Sequence, residues 1–195
     1  AKEPETTPTA LTPRGTNSSV AMQPGRVSYK KPAPLLEKST VLRAAHSEGL
    51  TEIRNMLPAR YAYRPWTLVY GTDKHGFSIR TFYEKASQWE ACLLFIEDSK
   101  GHVFGGFSSA PWEVQDSFFG SGETFLFRLF PRADIYPWIA SENSYFMYAK
   151  ADHFEMGSGG KPGIWVDEEL KNGFSGKCKT FQNDCLASSE DFQIA

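Results

Sequence analysis

Residues 157–186, GSGGKPGIWVDEELKNGFSGKCKTFQNDCL, hold the densest set of chemistry-bearing residues in this 195-residue sequence. Gly157, Gly159, Gly160 and Gly163 surround Lys161, as in loops that cradle phosphate. Asp167, Glu168 and Glu169 offer carboxylates for a metal or a general base. Cys178 stands between Lys177 and Lys179, whose charges favour a reactive thiolate, and Cys185 follows. Farther off, Glu123 is a second carboxylate that could work with Asp167 as an acid–base pair. Histidines stand at 46, 75, 102 and 153, so a Cys–His pair would need the fold to assemble it.

Each feature also has a local structural reading. A phosphate loop needs a helix behind its Lys, so that amides and helix dipole face the anion. Here Pro162 and the strand-like GIWV follow Lys161, which predicts a turn between strands. Asp167 is placed to cap a short helical turn, with Glu168 and Glu169 in its first turn and Gly173 stopping it. No further ligand stands at metal spacing, so no metal is expected. Cys178 and Cys185 have neither C-x-x-C redox spacing nor zinc-pair spacing. Cys178 reads first as a small residue in a turn and is retained as the redox candidate, and Cys92, in an apolar run, reads as core. The nucleophile motif G-x-S-x-G and the zinc motif H-E-x-x-H do not occur.

The elements that must position these residues read as α+β: a two-sheet antiparallel β-sandwich flanked by helices. Ser47 caps a first helix whose Leu50, Ile53, Met56 and Leu57 share a face, and Pro58 ends it. WTLVYGT reads as a strand through Trp66, Leu68 and Val69. Ser78 caps a second helix with Ile79, Phe82, Tyr83 and Ala86 at i, i+3, i+4 and i+7. ACLLFIE, the turn DSKGH and VFGGFSS make a hairpin. ETFLFRLF alternates, with Phe125, Phe127 and Leu129 on one face. IYPWIA, SYFMYAK, GIWV and a terminal FQIA supply further strands.

Residues 1–38 differ in kind. Six of the 12 prolines fall in the first 34 residues, without apolar periodicity, which predicts a disordered arm or linker. Residues 1–45 carry seven Lys/Arg against three Asp/Glu, whereas the remainder carries 14 against 20. The net charge of −2 gives no basic bias toward nucleic acid, and no apolar run approaches membrane-spanning length. Three cysteines make no secreted disulfide framework. A soluble, cytoplasmic chain with reduced thiols, monomeric when free, is expected.

PWTLVYGTDKHGFS (65–78), DSKGHVFGGFSS (98–109), FFGSGETFLF (118–127), WIASENSYF (138–146) and the 157–186 stretch together resemble the TLDc family, closest to its oxidation resistance branch. They occur in the family's order over about residues 47–195, giving a domain expected to fill 39–195. The resemblance implies a β-sandwich bordered by helices. It implies binding to the soluble-sector subunits of the vacuolar proton-pumping ATPase, with regulation that includes sector disassembly, and a role in oxidative stress resistance. It implies no established catalytic reaction and no cofactor. Two other functions compete: peroxide scavenging through Cys178, and a scaffold role in another assembly. The motif positions that map here as partner-binding or loop-shaping candidates are Gly76, Ser78, Gly120, Gly122, Glu123, Asn143, Gly157, Gly159, Asp167 and Ser175. Family members continue past the counterpart of FQI, so the resemblance also implies a final strand beyond this sequence and an unpaired sheet edge without it.

Overall fold

The computed structural model describes residues 39–195, and the expected disordered arm, 1–38, lies outside the described residues. Apolar alternation is realised in two antiparallel sheets. The first has four strands in order β1 (Cys92–Glu97), β2 (Val103–Ser108), β3 (Phe125–Phe130) and β4 (Asp134–Pro137). The second has five, β5 (Met147–Ala149), β6 (His153–Met156), β7 (Ile164–Asp167), β8 (Asn172–Phe174) and β9 (Asp191–Gln193). Each strand pairs with its sequence neighbour, so each sheet is a meander.

The central strands of the four-stranded sheet, β2 and β3, are buried on both faces. On β3, Phe125, Phe127 and Leu129 meet Leu50, Ile53 and Leu57 in one core, as the alternation predicted. Leu126 points the other way and joins Phe104, Met156 and Ile164 in the core between the sheets. The five-stranded sheet instead alternates buried and half-exposed residues, as expected of a sheet with one outer face.

Helix α1 (Ser47–Met56) covers the outer side of the first sheet. Ser47 is not its cap: a 3-10 turn, Ala44–His46, leads in, and His46 takes the cap position without a side-chain cap bond. The His46 ring is buried instead, its Nδ1 accepting the Arg43 N–H at 3.1 Å. Met56, expected on the buried face, is 41% exposed because the helix ends there and the extended Leu57 turns into the core. Truncating the buried Ile53 to Ala would cost roughly 2–5 kcal/mol.

WTLVYGT enters neither sheet. Its apolar residues found side-chain partners rather than a strand: Trp66 packs on Phe95 at 6.2 Å between ring centres, with the Arg54 guanidinium 5.6 Å over it. Single-turn helices α2 (Ala59–Ala62) and α3 (Thr72–His75) flank it. Helix α4 (Ile79–Ala86) forms as predicted. Ser78 Oγ accepts the Thr81 N–H at 3.3 Å, and Ile79, Phe82, Tyr83 and Ala86 are all buried. Phe82, Trp112 and Phe154 make a ring triad, 5.1–5.5 Å apart, that holds α4 on the sandwich.

The FQI stretch forms β9 and a bridge, and the chain's last residues reach the outer edge of β1. Ile194 bridges Asp98, and the Ala195 N–H donates to Glu97 O at 2.9 Å. A groove of about 700 Å³ lies alongside, lined by residues that include Trp66, Tyr70, Trp89, Leu93 and Ile194. Among the described residues no helix is long and apolar enough to cross a membrane.

Candidate functional site

The glycine turn after β6 is a strand connection, with positive φ at Gly157 (76°), Gly159 (91°) and Gly160 (149°). The chain returns to this turn with residues 176–183, and Thr180 joins the two. Its hydroxyl accepts the Ser158 N–H at 3.0 Å and donates to Asn143 Oδ1 at 2.7 Å. Asn143 Oδ1 also takes the Tyr145 N–H at 3.0 Å. A Cβ on Gly159 would stand 2.6 Å from Asn143 Nδ2, so Gly159 is what lets the asparagine in.

Cys178 lies beneath this turn, 1% exposed. Its Sγ donates to Asn183 Oδ1 at 2.9 Å, and Asn183 Nδ2 donates to Gly176 O at 2.8 Å. The charges of Lys177 and Lys179 would favour a thiolate, but burial acts against it. Burial pushes the Cys178 thiol up, outweighing nearby backbone and Thr180 hydrogen bonds that act the other way. Ser175 is buried too: its hydroxyl donates to Gly163 O at 2.8 Å and accepts the Leu186 N–H at 2.9 Å. Cys92 and Cys185 are partly buried, and all three cysteines are free thiols.

Trp138 connects this region to the loop before β3. Its Nε1–H donates to Asn143 O at 2.7 Å, and Gly122 packs so closely on its ring that a Cβ would sit 2.3 Å from it. Gly120 turns at φ 101° against Phe146 and Met147. Glu123 reaches out to Arg60, a two-point ion pair with Nη1 to Oε1 at 2.6 Å and Nη2 to Oε2. Arg60 holds the Glu123 carboxyl below its ordinary range. The fold therefore brings Gly120, Gly122, Glu123, Asn143, Gly157, Gly159 and Cys178 into one continuous region, with Ser175 beside it.

Ser78 and Asp167 belong to a second locus, where the Ile79 N–H donates to Glu168 O at 3.1 Å. Asp167 ends β7 and caps no helix. Its Oδ1 accepts the Lys171 N–H at 2.9 Å and the Asn172 N–H at 3.3 Å, closing a hairpin turn that passes through Leu170 at φ 51°. Gly173 does not stop a helix either: it lies in β8, where the Phe192 ring occupies the space of a Cβ. Gly76 ends α3 at φ 78°.

Glu123 and Asp167, weighed as an acid–base pair, are held by different partners, and Cys178 bonds an asparagine rather than a histidine. Among the described residues no group of three or more His, Cys, Asp or Glu is placed to hold a metal ion. What the arrangement does is fix backbone: a carboxylate, an amide or a hydroxyl closes each loop.

Arg60, Asn183 and Asp98 were not selected from the sequence. Asp98 is 1% exposed and accepts the Lys100 and His102 N–H groups at 3.0 and 2.9 Å, and that of Ser188 at 2.8 Å. Burial pushes its carboxyl up, but these donors outweigh burial and hold it below its ordinary value. D-S-K-G signals the turn; nothing local signals Ser188.

Residues 37–195 match the TLDc domain family. The chain is 38% identical over 158 residues to nuclear receptor coactivator 7 of Homo sapiens, covering 80% of this chain and 16% of that protein. It is 40% identical over 162 residues to oxidation resistance protein 1 of Homo sapiens (82% and 18%), and 39% identical over 162 residues to that of Xenopus tropicalis (82% and 18%). The chain thus spans less than a fifth of the length of these relatives. With the family match extending over most of its length, the chain belongs to the TLDc family.

Proposed function

We propose that this chain is a non-catalytic protein-binding module that docks on the soluble sector of the vacuolar proton-pumping ATPase, at the cytosolic face of acidic organelles, and regulates the pump. Its contribution to oxidative stress resistance follows from that regulation. TLDc membership and the relatives named oxidation resistance protein 1 support the stress-resistance part of this reading.

The observation that carries it is the use made of the polar side chains in the loop region. Thr180, Asn143, Ser175 and Asn183 spend their hydrogen bonds on holding loops, and Cys178 is sealed beneath them. Such a region presents a rigid surface of fixed loops, which suits recognition of a folded partner better than turnover of a small molecule. The exposed Arg60–Glu123 pair stands at its rim.

Purified soluble sector, pulled down with this chain, tests the reading, with ATP hydrolysis and sector association measured on addition. Binding that alters either is expected. No binding, with both unchanged, overturns it.

A further inference from the structure

The outer face of the five-stranded sheet carries a feature that the loop region does not use. Strand register sets Tyr148, Glu155, Trp165 and Phe174 in one row across β5 to β8. His153, two residues before Glu155 on β6, shares that face. The rings form a ladder: Tyr145 to Phe118 at 4.6 Å, Phe118 to Tyr148 at 5.0 Å, Tyr148 to His153 at 5.9 Å, His153 to Trp165 at 5.8 Å. None of these side chains belongs to either hydrophobic core.

Two rings of this face are already covered by cations of the chain itself. Lys150 Nζ lies 5.2 Å over Tyr148 and pairs with Asp116 at 2.7 Å. Lys161 Nζ lies 5.7 Å over Phe174 and pairs with Glu190 at 2.6 Å. Between them stand Trp165 and Glu155, opposite each other across β6 and β7. The Glu155 side chain is only 20% exposed, and the His153 Nε2 lies 3.7 Å from it, with the His153 ring stacked on Trp165. Burial pushes the Glu155 carboxyl up, partly opposed by His153. A half-buried carboxylate next to an indole face is completed by a planar cation that stacks on the ring and donates to both oxygens, and arginine is the side chain with that shape.

We propose that Trp165 and Glu155 form a docking position for an arginine side chain presented by a protein partner. The guanidinium stacks on the indole and pairs with the carboxylate, repeating the lysine–aromatic–carboxylate arrangements on either side. The partner is protein because arginine is a protein side chain, and the half-buried Glu155 carboxylate supplies the complementary charge. The position stands whether or not the proton pump is that partner.

The test uses the peptide Ac-Gly-Arg-Gly-NH2 and its citrulline counterpart, which keeps the shape and lacks the charge. Nuclear magnetic resonance follows the Trp165 indole N–H of this chain, assigned with Trp165→Phe. Saturable movement with the arginine peptide is expected, with citrulline binding weaker by about tenfold or more, the loss of one charge-assisted contact. Glu155→Gln should weaken arginine binding as much, and Trp165→Leu provides a second variant that removes the stacking surface and leaves the carboxylate. Equal binding of citrulline, or unchanged binding in Glu155→Gln, overturns the proposal. So does movement of the signal with protein concentration alone, which would make this face a contact between copies.

Discussion

Asp98 Oδ2 accepts the backbone N–H of Ser188, 90 residues further along the chain, at 2.8 Å, while its Oδ1 closes the β1–β2 turn. One buried carboxylate thus ties the first sheet to the segment leading into β9. Asp98→Ala strands three backbone donors and should cost roughly 1.5–3 kcal/mol or more, read from urea denaturation. The folded pKa of Asp98 is depressed, so its contribution is complete above the unfolded carboxyl value of about 4 and fades as pH falls through the folded value. The variant should therefore differ most from the parent at neutral pH and converge with it in acid.

Gly157 and Gly76 both hold positive φ, yet they should respond differently to Ala. At Gly76 nothing lies within 4 Å of an added Cβ, so only its positive-φ, extended-ψ backbone (φ 78°, ψ 178°) is taxed, about 1–3 kcal/mol. At Gly157 the methyl would also stand 2.7 Å from both Cys178 Sγ and the Phe181 ring, inside the core. Overpacking there should add roughly 1–3 kcal/mol. A denaturant midpoint that falls equally in the two variants would contradict the packing assigned to this turn.

The Cys178 thiol is buried, held up by that burial, and donates to Asn183. Iodoacetamide near neutral pH should therefore spare Cys178 in the folded chain and label it only on unfolding, as mass spectrometry of the peptides would show. Cys178→Ser should leave any peroxide consumption unchanged. Rapid labelling of the native thiol would restore the redox reading.

What the sequence made legible was periodic. Ile79, Phe82, Tyr83 and Ala86 fix α4 because four apolar residues at helical spacing have one way to share a face, and Ser78 marks where it starts. Phe125, Phe127 and Leu129 likewise declare a strand. Residues 66–71 misled because β-rich composition reports that a segment will be half-buried, whether or not its backbone finds a ladder. Gly173 misled because a glycine after an acidic turn reads as a helix stop, whereas here it admits the ring of Phe192, 19 residues away. The loop region was legible as a set of residues and not as a place. Asn143 and Thr180 are 37 residues apart, and only the meander brings their side chains to 2.7 Å.

The backbone of β1 gives one more consequence. The Asp98 N–H points inward, donating to His102 O, while Glu97 O points outward and accepts from Ala195. Antiparallel ladders alternate, so Leu94 turns its N–H toward β2 and Leu93 turns its own toward the open edge. Proline at 94 removes a ladder bond and should cost about 3 kcal/mol or more, whereas proline at 93 removes an N–H that meets no strand. Both leucines are partly buried against a core, so each proline variant is compared with Leu93→Ala or Leu94→Ala to subtract the side chain. The expected result is a much larger drop in urea midpoint for Leu94→Pro. Equal losses at the two positions would mean that the β1 register is wrong or that its outer edge is paired in solution, and gel filtration of Leu93→Pro against the parent chain separates the two cases.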